Sequence, residues 1–154
     1  MYMECCCSSW ADYAVAVAAV AAGVISWVEY GLHRKREYSR VFSKLNKRYL
    51  QDEKVQAVVM YLSETGPKQE QPSDYQTELF LRFFEETYVY LSTGALPLET
   101  INTLYGYYLK QIYKLERGRE LLSLCRYNDE EWPYIRKLRE ELSKVDSEWL
   151  EIEV

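Results

Sequence analysis

The strongest constraint in this chain is a run of sixteen residues without a charge, YAVAVAAVAAGVISWV at positions 13–28. As a helix rising about 1.5 Å per residue it covers about 24 Å, and counting Trp10 and Tyr30 as aromatic borders brings it to about the 30 Å of a bilayer core. Alanine dominates the run, so it is only weakly apolar, and a buried soluble helix is the competing reading. The flanks decide between them. Trp10, Trp27 and Tyr30 suit a lipid–water boundary, and the cations Arg34, Lys35 and Arg36 come immediately after. The expectation is a transmembrane helix over residues 10–31.

Orientation is set by the same flanks. Glu4 and Asp12 precede the run with no Lys or Arg, whereas seven basic residues lie between Arg34 and Arg48 against one acid, Glu37. Positive flanks stay inside, so residues 1–9 are expected outside and residues 33–154 in the cytoplasm, as a single-pass protein of the inner membrane. A cleaved signal peptide needs its cations before the apolar run, and here the polarity is reversed, so the helix reads as a retained anchor. Ala19 and Gly23, or Ala18, Ala22 and Ser26, place small residues four apart on one face, where two such helices can approach closely as a homo-oligomer. Cys5, Cys6 and Cys7 are adjacent and lack zinc-site spacing; a lipid attachment or an intermolecular disulfide is the alternative.

The remaining residues carry a 3.6-residue apolar period and no alternating pattern long enough for a strand. Tyr38, Val41, Phe42, Leu45 and Tyr49 prolong the first helix through a basic juxtamembrane segment, residues 32–65, which ends with Val55, Val58, Val59 and Leu62 in a short second helix. GPKQEQPS, residues 66–73, is the clear loop. Ser73 with Gln76 resembles a capping box opening a helix over 74–92, with Tyr75, Leu79, Phe80, Phe83, Phe84, Tyr88 and Leu91 inward and Gly94 as its terminator.

Pro97 starts the next helix, whose stripe is Leu98, Ile101, Leu104, Tyr105, Tyr108, Leu109, Ile112 and Leu115, ending before Gly118. A shorter helix spans 119–125, and Asn128 and Glu131 cap a last one carrying Trp132, Ile135, Leu138, Leu142 and Val145. The fold class expected is all-α: one N-terminal transmembrane helix, then a small antiparallel helical bundle over 74–146, then an acidic tail, 147–154. Nine acids against four bases between Asp129 and Val154 make that end acidic, opposite in sign to the segment after the apolar run.

Residues 80–114, FLRFFEETYVYLSTGALPLETINTLYGYYLKQIYK, together with EEWPYIRKLREEL at 130–142, resemble a family of small, often single-pass bacterial proteins catalogued only as a domain of unknown function. The matching positions are Phe83, Phe84, Glu85, Glu86, Gly94, Gly106, Tyr107, Tyr108 and Trp132. The resemblance implies a helical fold and membrane anchoring, and brings no activity with it.

Catalytic chemistry finds little footing. The pairs Glu85-Glu86, Glu130-Glu131 and Glu140-Glu141 are helix neighbours about 100° apart and cannot face one another. Glu85, beside Phe84 and one turn from Leu81 and Val89, is a partly buried carboxylate that can bond a Tyr or a helix terminus. His33 is the single histidine, so neither a di-metal Glu-x-x-His bundle nor a histidine-activated Ser or Cys nucleophile can be built near the bundle. The expectation is no enzyme, no cofactor and no metal, but a membrane-tethered interaction or regulatory module. Its partners are the lipid bilayer and a protein not identifiable from sequence, with Glu85, Tyr107 and Trp132 as candidate interaction or structural residues.

The alternatives are a membrane-acting effector, toxin-like or a phage-defence component, whose transmembrane helices self-associate, and a nucleic-acid or nucleotide site on the basic helix. Against the last, no Gly-rich phosphate loop or RNA-type aromatic motif accompanies the charge. Fifteen tyrosines suit either an aromatic core or an interface.

Overall fold

The computed structural model describes residues 6–63, 70–128 and 130–151, and all regular structure in them is helical. The chain forms two compact units, Met1–Ser39 and Arg40–Val154. Helix α1, Cys6–Gln51, begins in the first and ends in the second. The cysteines fall at its edge: Cys5 and the side chains of Cys6 and Cys7 lie outside the described residues, as do the first half of the loop expected at 66–73 and the last residues of the acidic end.

In the first unit every residue from 10 to 37 is exposed. Val15, Val17, Val20, Val24 and Ile25 point to all sides of the helix, with Trp10 79% and Trp27 77% exposed. A helix apolar all round normally marks a protein interior or a membrane span. Here those side chains are exposed; among the described residues α1 is the one helix long and apolar enough to cross a membrane.

The second unit builds a core from stripes. Val41, Leu45 and Tyr49 of α1 are buried, and Asp52 then ends the helix with an extended backbone while its carboxylate accepts from Lys54 N at 3.0 Å to start α2, Glu53–Leu62. Val55, Val58, Val59 and Leu62 are all inward. Helix α3, Asp74–Ser92, opens on the expected capping box: Gln76 N donates to Ser73 Oγ at 3.3 Å, and Ser73 N to Gln76 Oε1 at 2.8 Å. It closes at Gly94, whose φ of 71° only glycine adopts without strain; Gly94 N returns to Leu91 O at 2.9 Å and the chain turns so that Ala95 and Leu96 are buried.

Helix α4 covers 98–114 in three pieces: Leu98–Ile101, a π turn at Asn102–Gly106 and Tyr107–Lys114. The π turn inserts one extra residue into the ladder and changes which side chains face inward. Leu104, expected in the stripe, is 39% exposed, while Tyr105, Leu109, Ile112 and Tyr113 are buried. The helix also ends earlier than expected, at Leu115, where an extended residue starts α5, Glu116–Leu124. Gly118 lies inside α5 and is not a terminator: a Cβ there would meet Ile112 O at 2.5 Å, so its bare backbone permits the close return of the chain.

Helix α6 is Pro133–Ser143, with Ile135, Leu138 and Leu142 buried and Trp132 tucked in ahead of it. Asn128 Oδ1 accepts from Glu130 N and Glu131 N at 3.0 and 2.7 Å, capping the turn before the helix; Glu131 makes no cap of its own. Val145, expected inward, is 47% exposed, and Trp149, in the 3-10 helix Ser147–Glu151, takes the buried place at 4%. Tyr75 is likewise exposed, while Thr77, Leu81 and Thr87 face the core of α3. The centre is aromatic. Tyr49, Phe83 and Tyr105 meet with ring centroids 5.0–5.4 Å apart, and Phe84 stands edge-on to Phe80 and Phe83.

Candidate functional sites

The residues assigned to a membrane boundary, Trp10, Trp27, Tyr30, Arg34, Lys35 and Arg36, are all exposed on α1. The Arg34 guanidinium carbon lies 6.0 Å from the Tyr30 ring centroid, one turn back, which keeps that charge alongside the aromatic border. Ala19 and Gly23 are exposed too, and a Cβ at Gly23 would meet nothing within 4 Å. The shallow depressions on this unit, lined by Asp12, Tyr13, Ala16, Val17, Val20 and Ala21, are open grooves along the helix flank.

The basic run after residue 33 is split between two roles. Lys44, still largely exposed, and Arg48 converge on Glu86 of α3: Lys44 Nζ donates to Glu86 Oε1 at 2.6 Å and Arg48 Nη1 to Oε2 at 2.5 Å. Tyr90 completes the group, its hydroxyl donating to Glu86 Oε1 at 3.2 Å and accepting from Lys44 at 3.1 Å. Burial alone would raise the Glu86 carboxyl, but the Lys44 hydrogen bond and the charges of Lys44 and Arg48 outweigh it and hold it below 4.5. Lys44 is raised above 10.5, first by its bond to Glu86.

Glu85, one residue away, meets a different environment. Burial raises its carboxyl above 4.5, opposed by the backbone N–H of Tyr134 in the first turn of α6 and by the charge of Arg82. A carboxylate near a helix N-terminus complements the dipole, and here that contribution offsets part of the burial without reversing it. Tyr107 is exposed, edge-on to Tyr108 at 5.0 Å, whereas Trp132 is buried and stacked over Tyr127 at 6.4 Å. Glu85 and Trp132 are thus both associated with the start of α6, while Tyr107 is an exposed residue of α4.

A cluster that the sequence pattern does not reveal sits at the π turn. Lys110 is 9% exposed and binds Asp146, and it donates to Glu148 Oε2 at 3.1 Å, with the Trp149 ring 5.5 Å from its ammonium. Trp149 Nε1 donates to Asn102 Oδ1 at 3.4 Å, and a Cβ on Gly106 would meet that oxygen at 2.7 Å. Burial would lower the Lys110 ammonium, but its bonds to Asp146 and Glu148 win and raise it. Acids 36 and 38 positions away give no local signal.

Each of these carboxylates is answered by a cation or a backbone N–H. Among the described residues no group of three or more His, Cys, Asp and Glu could hold a metal ion. His33 is exposed on α1, away in sequence from every carboxylate pair above, and Cys125 is half-buried with its thiol raised by burial, the reverse of an activated nucleophile. The arrangement can hold helices together and present a surface. No family model, no curated protein and no solved structure matches this chain.

Proposed function

We propose that the chain is a single-pass membrane protein whose residues 10–31 cross the bilayer with the N-terminus outside, and whose second unit, arranged as a small antiparallel helical bundle, is a cytoplasmic, non-catalytic interaction or regulatory module. One observation carries the reading: residues 10–37 are exposed throughout, although the apolar ones lie on every side of α1. Exposed apolar area costs about 25 cal/mol per Å², so a bare helix of this kind needs lipid or a partner around it. The cations immediately after residue 33 favour cytoplasmic placement of the second unit. The short connection at 93–97 favours antiparallel packing of α3 and α4. Engagement of Lys44 and Arg48 by Glu86 weakens a nucleic-acid reading of the basic helix, since two of its seven cations are already paired.

Fractionation of cells expressing the full chain tests the anchor. The protein should stay in the membrane pellet through salt and alkaline carbonate and leave with detergent; recovery in the soluble fraction overturns the reading. A reporter fused after Val154 that fluoresces only in the cytoplasm should be bright, and an impermeant thiol reagent should label Cys5, Cys6 and Cys7 on intact cells. A dark reporter with protected thiols reverses the orientation. Turnover of a small molecule by the purified chain, with no partner retained on gentle solubilisation, ends the interaction-module reading.

A further inference from the structure

We infer that one strip of α1, running from Gly23 through Trp27 and Tyr30 to Arg34 and Lys35, binds a phospholipid with an anionic headgroup in the leaflet beside the cationic flank. The inference rests on the membrane reading above and names the lipid class. In a helix turning 100° per residue, positions seven apart return to within about 20°, so Trp27 and Arg34 share a face, with Gly23, Tyr30 and Gly31 on its borders. A Cβ at Gly23 or at Gly31 would meet nothing within 4 Å, so the backbone is bare on either side of Trp27.

The chemistry changes along the strip. Trp27 and Tyr30 are exposed, Arg34 lies along the Tyr30 ring at 6.0 Å, and Lys35 and Arg36 are exposed on the same turn. Gly23 to Arg34 is eleven residues, about 16 Å of helix, close to the roughly 15 Å depth of one leaflet. An acyl chain against Gly23 and Trp27 therefore brings its phosphate to the level of Arg34 and Lys35. Arg34 lies on the strip and Lys35 at its edge, with Glu37 the acid on that side, whereas Arg36 and Glu29 fall on the opposite face, so the balance along the strip is cationic and the headgroup favoured is anionic. Lys44 and Arg48, which could have widened the patch, are bound to Glu86. The opposite end, with Trp10 beside Asp12 and no Lys or Arg, has no counterpart. A cation near a membrane surface contributes about a fivefold preference for anionic lipid, which sets the expected scale.

Trp27 supplies a reporter inside the site. The full chain carrying Trp10→Phe is reconstituted in phosphatidylcholine vesicles containing, at equal mole fraction, either brominated phosphatidylglycerol or brominated phosphatidylcholine. Fluorescence quenching then reads contact with each lipid, while Trp132 and Trp149, buried in the second unit, give a constant background. The glycerol lipid should associate about fivefold more strongly, and the preference should fall to unity in 1 M salt and in the Arg34→Gln, Lys35→Gln double variant. The Trp27→Phe chain, which keeps Trp10, should show no preference. Equal quenching by both lipids at low salt overturns the inference and leaves the anchor standing. No quenching by either overturns it differently, since Trp27 is then outside the bilayer or covered by a second copy; carbonate extraction of the same vesicles tells which, and the first case ends the anchor reading too. Loss of the preference on adding soluble glycerol phosphate assigns the cations to a soluble anion and also overturns it.

Discussion

Residues 10–37 and residues 40–151 use apolar side chains in opposite ways. In the first stretch Val15, Val17, Val20, Val24 and Ile25 surround a helix and touch no core; in the second, Phe80, Phe83, Phe84, Tyr105 and Leu109 lie on stripes and are fully enclosed. What separates them is where the charges fall. No charge interrupts positions 13–28, whereas charges recur between the apolar positions of the second unit and give each helix a wet side and a dry side. An apolar residue stabilises the chain's own fold only where the sequence supplies a second surface for it; otherwise the surface must come from outside.

The largest expected effect breaks or confirms that contrast directly. Phe83→Ala removes a ring in contact with Tyr49, Phe84 and Tyr105 and should destabilise the second unit by about 3–5 kcal/mol, whereas Val20→Ala should change it by less than about 0.5 kcal/mol. Denaturant unfolding of the detergent-solubilised chain, monitored by circular dichroism, measures both. Comparable losses would mean that residues 10–37 belong to the core after all.

A pair of glycines sharpens the same contrast at intermediate size. Gly118→Ala drives a Cβ to 2.5 Å from a backbone oxygen and should cost about 1–3 kcal/mol, while Gly23→Ala adds a methyl where nothing lies within 4 Å and should leave the melting curve unmoved. Equal melting temperatures for Gly118→Ala and the parent chain would show that α4 and α5 can part at no cost.

The smallest effect concerns charge. Glu86→Gln should cost about 1 kcal/mol at neutral pH, modest because Lys44 is largely exposed. The folded Glu86 carboxyl is lower than 4.5, so its contribution is present above that value and lost as pH falls through the folded one; the parent should lose stability there and the variant should not. Lys44, raised above 10.5, contributes below that pH and is lost above it, and this alkaline loss should shrink in the same variant. Tyr49, raised above 10 first by burial and then by Tyr108 and Tyr105, keeps an alkaline loss in both chains. Identical pH profiles from 3 to 6 would show that the Glu86 group holds nothing together.

Local chemistry makes much of this legible from sequence. The Ser73–Gln76 box, the αL turn at Gly94, the stripe of α2 and the Phe80, Phe83 and Phe84 centre of α3 depend on residues within a few positions of one another, and they lie where the spacing puts them. The departures have non-local causes. Leu104 turns outward because a π turn breaks the 3.6-residue period, which no composition signal announces. Gly118 resembles a stop because a glycine's role depends on what approaches it, here Ile112 O. Trp149 reads as part of an acidic tail because its neighbours are acids, yet Lys110 answers those acids and the indole goes inward with them. Among the carboxylates of α3, Glu86 collects two cations that no local pattern announces, because its partners lie 38 and 42 positions earlier.

The π turn at Asn102–Gly106 also affects how this sequence lines up with any other. A π turn is an α-helix with one residue inserted, so the positions before Ile101 and after Tyr107 belong to two different helical phases. A relative built on an uninterrupted helix would be one residue shorter here. Its inward positions would match Ile101 on one side and Leu109 and Ile112 on the other only if a single-residue gap were opened between them, and an ungapped comparison would set its core residues against the wet face of one half.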